Sequence, residues 1–213
     1  MIFADRHEAG EQLAKALVEH AGTECVVLAI PRGGVIVAEV VARALGAPLD
    51  VVIPRKIGAP GNPELGIGAV APGIRVLDPR MVAALGVSSE YLDREIAAQE
   101  REIERRQHVY RAGRPAAPIR GRVAIVVDDG VATGGTAVAA LRWARAQGAA
   151  RVVLAVPVAP AAALDRLRGE CDELVVLVTP EPFFAVGEWY RRFDQTRDDE
   201  VIEALARVAA DGA

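Results

Sequence analysis

Five short runs rich in aliphatic residues punctuate the chain: Cys25–Ile30 (CVVLAI), Leu49–Ile53 (LDVVI), Arg122–Val127 (RVAIVV), Arg151–Val158 (RVVLAVPV) and Glu173–Val178 (ELVVLV). A strand with one wet face alternates apolar and polar residues, so nearly unbroken aliphatic runs predict strands covered on both faces. Between the runs, apolar residues recur at helical spacing over Gly34–Leu45, Gly135–Gln147 and Ala161–Arg168. The opening twenty residues read as an amphipathic helix with early charges rather than a secretory leader. The succession predicts an α/β fold: a doubly wound, mainly parallel sheet with flanking helices, which takes ligands beyond the carboxyl ends of its strands.

One stretch interrupts this rhythm. Between Gly73 and Pro118 the pattern predicts a short strand (IRVL), a short helix near Arg80–Leu85, and a polar helix over Ser88–Arg111 capped by Ser88 or Ser89. The apolar stripe of that helix, Leu92, Ile96, Ile103 and Tyr110, is narrow. Such a helix lies on the body of a protein as a salt-bridged surface element, with a mobile lid or a homodimer contact as alternatives. The expected organisation is one domain over residues 1–213, with a helical insert at about 73–118 and a C-terminal hood at about 179–200.

Composition sharpens the picture in three places. Hydrophobic residues make up 52% of the 213 residues but aromatics only 4%, so the grouping of Phe183, Phe184, Trp189, Tyr190 and Phe193 needs a reason. The net charge of −4 argues against nucleic acid as a partner, although Arg101–Arg122 holds seven arginines against two glutamates. The longest apolar run, Val152–Leu164, is too short to span a bilayer, and Cys25 and Cys171 form neither a disulfide framework nor a metal-binding spacing. A cytoplasmic protein without a membrane partner is therefore expected. Lys15 and Lys56 are the only lysines and Asn62 the only asparagine, so Lys56 and Asn62 mark their shared loop as a place with a chemical task.

The densest chemistry lies in VAIVVDDGVATGGTA, Val123–Ala137. A buried strand ends in Asp128 and Asp129, which must face a polar ligand or water because adjacent buried charges are costly. Thr133, Gly134, Gly135 and Thr136 then lead into a helix whose first amides lack internal acceptors, and the glycines let a phosphate approach the backbone. Carboxylates one turn away can accept hydrogen bonds from a sugar diol or help place a metal. A phosphorylated sugar satisfies both halves. A Walker loop would need Gly-Lys, which is absent, and GIGAVA (Gly66–Ala71) runs into Pro72 and Gly73 instead of a nucleotide-binding helix.

The stretch VVDDGVATGGTA resembles the phosphoribosyl diphosphate (PRPP) motif of the type I phosphoribosyltransferases. AIPRGG resembles their diphosphate loop, with Arg32, Gly33 and Gly34 touching diphosphate, and PRKIGAPGNPELGIGAV occupies the place of a flexible loop carrying a diphosphate-binding cation, Lys56 or alternatively Arg55. The resemblance implies transfer of phosphoribosyl from PRPP to a nitrogen acceptor, such as a nucleobase, with release of diphosphate and dependence on Mg²⁺ held mainly by PRPP and water rather than by direct protein ligands. It further implies that Asp128 and Asp129 hold the ribose and that Ala132, Thr133, Gly134, Gly135 and Thr136 anchor the 5′-phosphate. A lid, either Ala59–Gly68 or the 73–118 insert, would exclude water, and Phe184, Trp189 or Tyr190 would stack on the acceptor. Oxopurine enzymes of this family carry an aspartate where this chain has Ala132. The general base must then come from elsewhere, with Glu64 the first candidate and water or diphosphate the alternatives.

Two other readings compete. A PRPP-sensing regulator of the same fold, binding RNA or a protein, would use the basic Arg101–Arg122 region, although Glu100, Glu102 and Glu104 dilute it. A receiver-like phosphorylation domain would need a lysine after Asp128, and none follows.

Overall fold

The computed structural model describes residues 2–211. The predicted doubly wound sheet is present. Its five parallel strands are β1 (Cys25–Ala29), β2 (Leu49–Val51), β6 (Val123–Val127), β7 (Arg151–Val158) and β8 (Glu173–Val178), and they lie in the order β2-β1-β6-β7-β8. Successive side chains of a strand point to opposite faces, and both faces are covered here. Cys25, Val27 and Ala29 of β1 join Ile125 and Val127 of β6 under helices α1 (Arg6–Ala16) and α2 (Gly33–Leu45). Val26, Leu28, Ala124 and Val126 face the other way, under α5 (Gly135–Ala146) and α6 (Ala161–Arg168). Aliphatic runs without polar alternation are the sequence signature of this double burial.

The segment Lys56–Gly68, expected as a flexible loop, is instead a hairpin. β3 (Arg55–Ala59) and β4 (Asn62–Ala71) pair antiparallel, and β5 (Ile74–Leu77) adds a third strand to form a separate sheet. This second sheet packs on α5 through Ala69, Ala71 and Val76. Its register slips around Gly58, where an added Cβ would lie 2.6 Å from Pro63 Cα. The expected insert therefore begins with a strand of this sheet and continues as α3 (Pro79–Ala84) and α4 (Ser89–Arg111), the latter capped by Ser88. Ile96, Ile103 and Tyr110 are the buried stripe of α4.

The last helix, α7 (Asp198–Asp211), buries Val201, Ala204, Leu205 and Val208 against α2 and α4. The basic stretch that seemed suited to RNA is largely occupied. Arg105 and Arg106 bond Glu102, Arg111 forms two hydrogen bonds with buried Asp50, and Arg114 donates to the carbonyls of Tyr110 and Arg111. Among the described residues no helix is long and apolar enough to cross a membrane.

Candidate active site

Strand register builds the site. β1 and β6 run side by side with Ala29 opposite Val127, and the amide of Ile30 donates to the Val127 carbonyl at 2.8 Å. The residues that follow each strand must therefore emerge together. Pro31–Gly34 and Asp128–Asp129 meet although about ninety positions separate them in the sequence. The contact leaves no room for side chains on the glycines. A Cβ on Gly33 would lie 1.9 Å from Asp129 Oδ2, and one on Gly34 would lie 2.9 Å from both Asp128 Cα and Asp128 Oδ1.

The two aspartates differ in their partners. Asp128 Oδ1 accepts a hydrogen bond from the Asp129 amide at 2.8 Å, while Asp129 Oδ2 accepts one from Arg6 Nε at 2.7 Å. Burial pushes the Asp128 carboxyl well above the ordinary range, and the charge of Asp129 pushes it further. Two carboxyls with one cation beside them resist carrying two negative charges. A vicinal diol offers donors to both without adding charge.

Five residues on, at Gly134, the chain turns into α5. Gly134 adopts φ 81°, a left-handed conformation that favours glycine, and caps α5 without a side-chain hydrogen bond to the helix amides. Nothing lies within 4 Å of a Cβ placed on Gly135. Ala132 and Thr133 are exposed, and Thr136 is half-buried. The turn thus presents uncapped helix amides, two hydroxyls and free space, which together form an anion seat.

The remaining candidates are distributed less favourably. Arg32 turns its side chain to Asp198 at 3.7 Å, and Arg55 donates to Gln99 Oε1 at 2.8 Å. Burial and the nearby charge of Arg106 push the Arg55 guanidinium pKa down. Lys56 Nζ donates to the carbonyl of Glu64 at 2.9 Å and to its carboxylate at 3.3 Å, so the expected cation and the expected base hold each other across the hairpin. Among the described residues neither bonds Asp128 or Asp129.

Tyr190 is not open for stacking. Its ring lies between Phe3 at 5.5 Å and Phe193 at 4.9 Å, and its hydroxyl donates to the Asp129 carbonyl at 2.6 Å. Burial pushes its phenol upward, followed by the charge of Asp129. Trp189 is half-buried, with its Nε1–H enclosed and without an acceptor among the described residues. Phe184, 77% exposed, is the aromatic that remains open.

One participant escaped the sequence reading, and another was marked there only as a member of the aromatic group. Arg6 reaches the site from the first turn of α1, and Phe193 supplies the ring beneath its guanidinium, 3.9 Å from ring centroid to Cζ. The one available signal was an arginine at a helix start, where the helix dipole disfavours a cation. A cleft of about 740 Å³ near Leu49, Arg111, Arg114 and Leu205 opens at the amino end of β2, away from all these groups.

Comparison with known proteins shows the family. A family model described as the phosphoribosyl transferase domain matches residues 4–189. A Mycobacterium tuberculosis protein named "Putative phosphoribosyl transferase" is 48% identical over 213 residues, covering 100% of this chain and 48% of its own length. The chain thus spans about half the length of the curated relatives it matches. The crystal structure of TT1426 from Thermus thermophilus is 46% identical, covers 97% of this chain and 99% of its own, and superposes with a TM-score of 0.82. A Neisseria gonorrhoeae hypothetical protein, solved with bound ppGpp, shares the fold at 17% identity and a TM-score of 0.51, over 100% of this chain and 96% of its own. On a family match that takes in β1, both aspartates and the turn into α5, the chain belongs to the phosphoribosyl transferase domain family.

Proposed function

We propose that this domain transfers the phosphoribosyl group of PRPP to a nitrogen acceptor, a nucleobase or related heterocycle, and releases diphosphate. The observation that carries the reading is the contact of Gly33 and Gly34 with Asp129 and Asp128, five residues before the uncapped N-cap Gly134 of α5. In this reading one strand end receives diphosphate, the next receives ribose, and the turn receives the 5′-phosphate.

The nitrogen lone pair attacks C1 of the ribose as the bond from C1 to the diphosphate oxygen breaks, and the electron pair leaves with diphosphate. Asp128 and Asp129 bind the ribose hydroxyls and place negative charge beside the cation developing at C1. Thr133 to Thr136 fix the 5′-phosphate, remote binding that aligns C1. The oxygen-only donors here suit Mg²⁺, yet Asp129 Oδ2 is committed to Arg6 and Asp128 Oδ1 to an amide, so the ion would be held mainly by diphosphate oxygens and water. Bound there, it would neutralise the leaving group. Lys56 on the hairpin supplies positive charge to diphosphate once its contact with Glu64 opens, and the freed Glu64, water or diphosphate takes the acceptor proton. The domain with its α3–α4 segment and its hood acts as one unit, and the hairpin is the element that excludes water.

Calorimetric titration with PRPP and Mg²⁺ tests the reading, followed by assay of diphosphate release over a panel of bases and amines. Binding is expected, and its absence at millimolar PRPP would overturn the proposal. Ala132 offers no proton acceptor, so hypoxanthine and guanine should turn over slower than the true acceptor by about 10²–10⁴, the usual worth of a positioned base.

A further inference from the structure

Arg6 opens α1, and its side chain reaches partners far off in the sequence. Its Nε donates to Asp129 Oδ2 at 2.7 Å, its Nη1 donates to the Asp194 carbonyl at 2.7 Å, and its guanidinium lies over Phe193. The side chains of Arg6 and Asp129 are 12% and 16% exposed. A cation at a helix start is on the wrong end of the dipole, and a largely buried ion pair adds little over apolar packing. Stability is a poor reason for this arrangement. Its location supplies a better one: a Cβ on Gly33 would meet Asp129 Oδ2 at 1.9 Å and Arg6 Nε at 2.7 Å, so the pair sits against the first residue of α2, at the end of the loop from β1.

Counting oxygens makes the consequence definite. Asp128 Oδ1 is held by the Asp129 amide and Asp129 Oδ2 by Arg6. Each carboxyl therefore keeps one further oxygen for a ligand, two oxygens for two neighbouring hydroxyls. We propose that Arg6 is a positioning residue for sugar recognition: by holding Oδ2 of Asp129 it turns the other oxygen of that carboxyl toward the ribose diol. This rests on the reading of Asp128 and Asp129 as ribose ligands. Phe193 and the Asp194 carbonyl hold the guanidinium in turn, so the hood reaches the ribose through Arg6 rather than through a stacked ring.

The test measures ribose 5-phosphate and diphosphate separately by calorimetry on the intact chain, with Arg6→Gln and Arg6→Lys as variants. Arg6→Gln should weaken ribose 5-phosphate by about 10-fold or more, the scale of a hydrogen bond to a charged group, and leave diphosphate within about twofold. Arg6→Lys, which restores the charge without the planar fork, should recover part of the loss. Unchanged or improved ribose 5-phosphate binding would overturn the proposal, as would equal losses for both ligands. If the unmodified protein binds neither ligand, the assigned function fails instead. The crystal structure of Arg6→Gln then decides the positioning role: a displaced Asp129 carboxylate supports it, and Oδ2 still seated beside Gly33 overturns it.

Discussion

The turn at Thr133–Thr136 and the segment Phe183–Phe193 both carried ligand expectations, and the fold treats them oppositely. The turn is bare: its helix starts without a side-chain cap, and space opens above Gly135. The aromatic segment has folded on itself, with Phe3, Tyr190, Phe193 and the Arg6 guanidinium stacked in succession. Backbone donors left without partners cost free energy unless water or a ligand meets them, whereas aromatic rings gain by finding each other. Unsatisfied polarity is therefore the better guide to a site in this molecule, and aromatic content the poorer one.

Four measurements would break or sharpen that contrast. The largest effect belongs to Gly33→Ala, whose new methyl would overlap Asp129 Oδ2. Overpacking of this kind costs about 1–3 kcal/mol, readable as a lower midpoint in urea, and displacement of the carboxylate should remove most PRPP affinity. A variant of unchanged stability and affinity would mean that the strand ends stand further apart than described.

Tyr190→Phe comes next. It deletes the hydroxyl that donates to the Asp129 carbonyl and should cost about 0.5–1.5 kcal/mol in chemical denaturation. Phe184→Ala, at an exposed ring, should change stability by less than about 0.5 kcal/mol. If the two costs were reversed, the closed and open parts of the hood would have been exchanged.

Gly135→Ala has a smaller effect on folding and an informative one on binding. The position is sterically free and helical, so thermal unfolding should show a gain of up to about 1 kcal/mol, while inorganic phosphate and ribose 5-phosphate bind more weakly. Undiminished phosphate binding would place the anion elsewhere.

The smallest effect is electrostatic. Hydrogen bonds from Arg105 and Arg106 hold the Glu102 carboxyl at about 2, down from 4.5. A depressed carboxyl pKa favours the folded state above the unfolded value, and that contribution is lost as pH falls from about 4.5 toward 2. Arg105 is exposed and Glu102 and Arg106 are only partly buried, so solvent screens the pairs and the loss should stay under about 1 kcal/mol. Comparing Glu102→Gln with the unmodified protein at pH 7 and in the acid range should show the difference shrinking as the pH drops.

Legibility followed the range of the interactions. The core strands were readable because double burial writes itself as aliphatic runs, and the end of β7 at Val158 and of β8 at Val178 coincided with the runs. The hairpin was not readable. Gly58, Pro63, Gly66 and Gly68, with Pro60 and Gly61 at the turn, look like loop residues, and it is pairing with β5 and packing on α5 that hold the flanking stretches as strands. The helix α7 did carry a signal, Val201, Ala204, Leu205 and Val208 at helical spacing, beyond the hood that attracted notice. Asp128, Asp129 and the glycine turn were visible because their chemistry is contiguous in sequence. The Arg6 contact joins residues 123 positions apart, and no local pattern encodes it.

The amide of Phe3 bonds the Trp189 carbonyl, and the amides of Arg191 and Arg192 bond the carbonyls of Phe3 and Ala4. During synthesis the earlier stretch must wait for partners made far later in the sequence. Closing so long a loop is entropically costly until the sheet has already gathered the two ends. During synthesis the parallel strands can assemble in order while Arg6 still lacks the Phe193 ring and the Asp194 carbonyl. A nascent chain halted before Trp189 would therefore contain all five parallel strands and both aspartates, yet its second carboxylate would lack the bracing that Phe193 and the Asp194 carbonyl lend through Arg6.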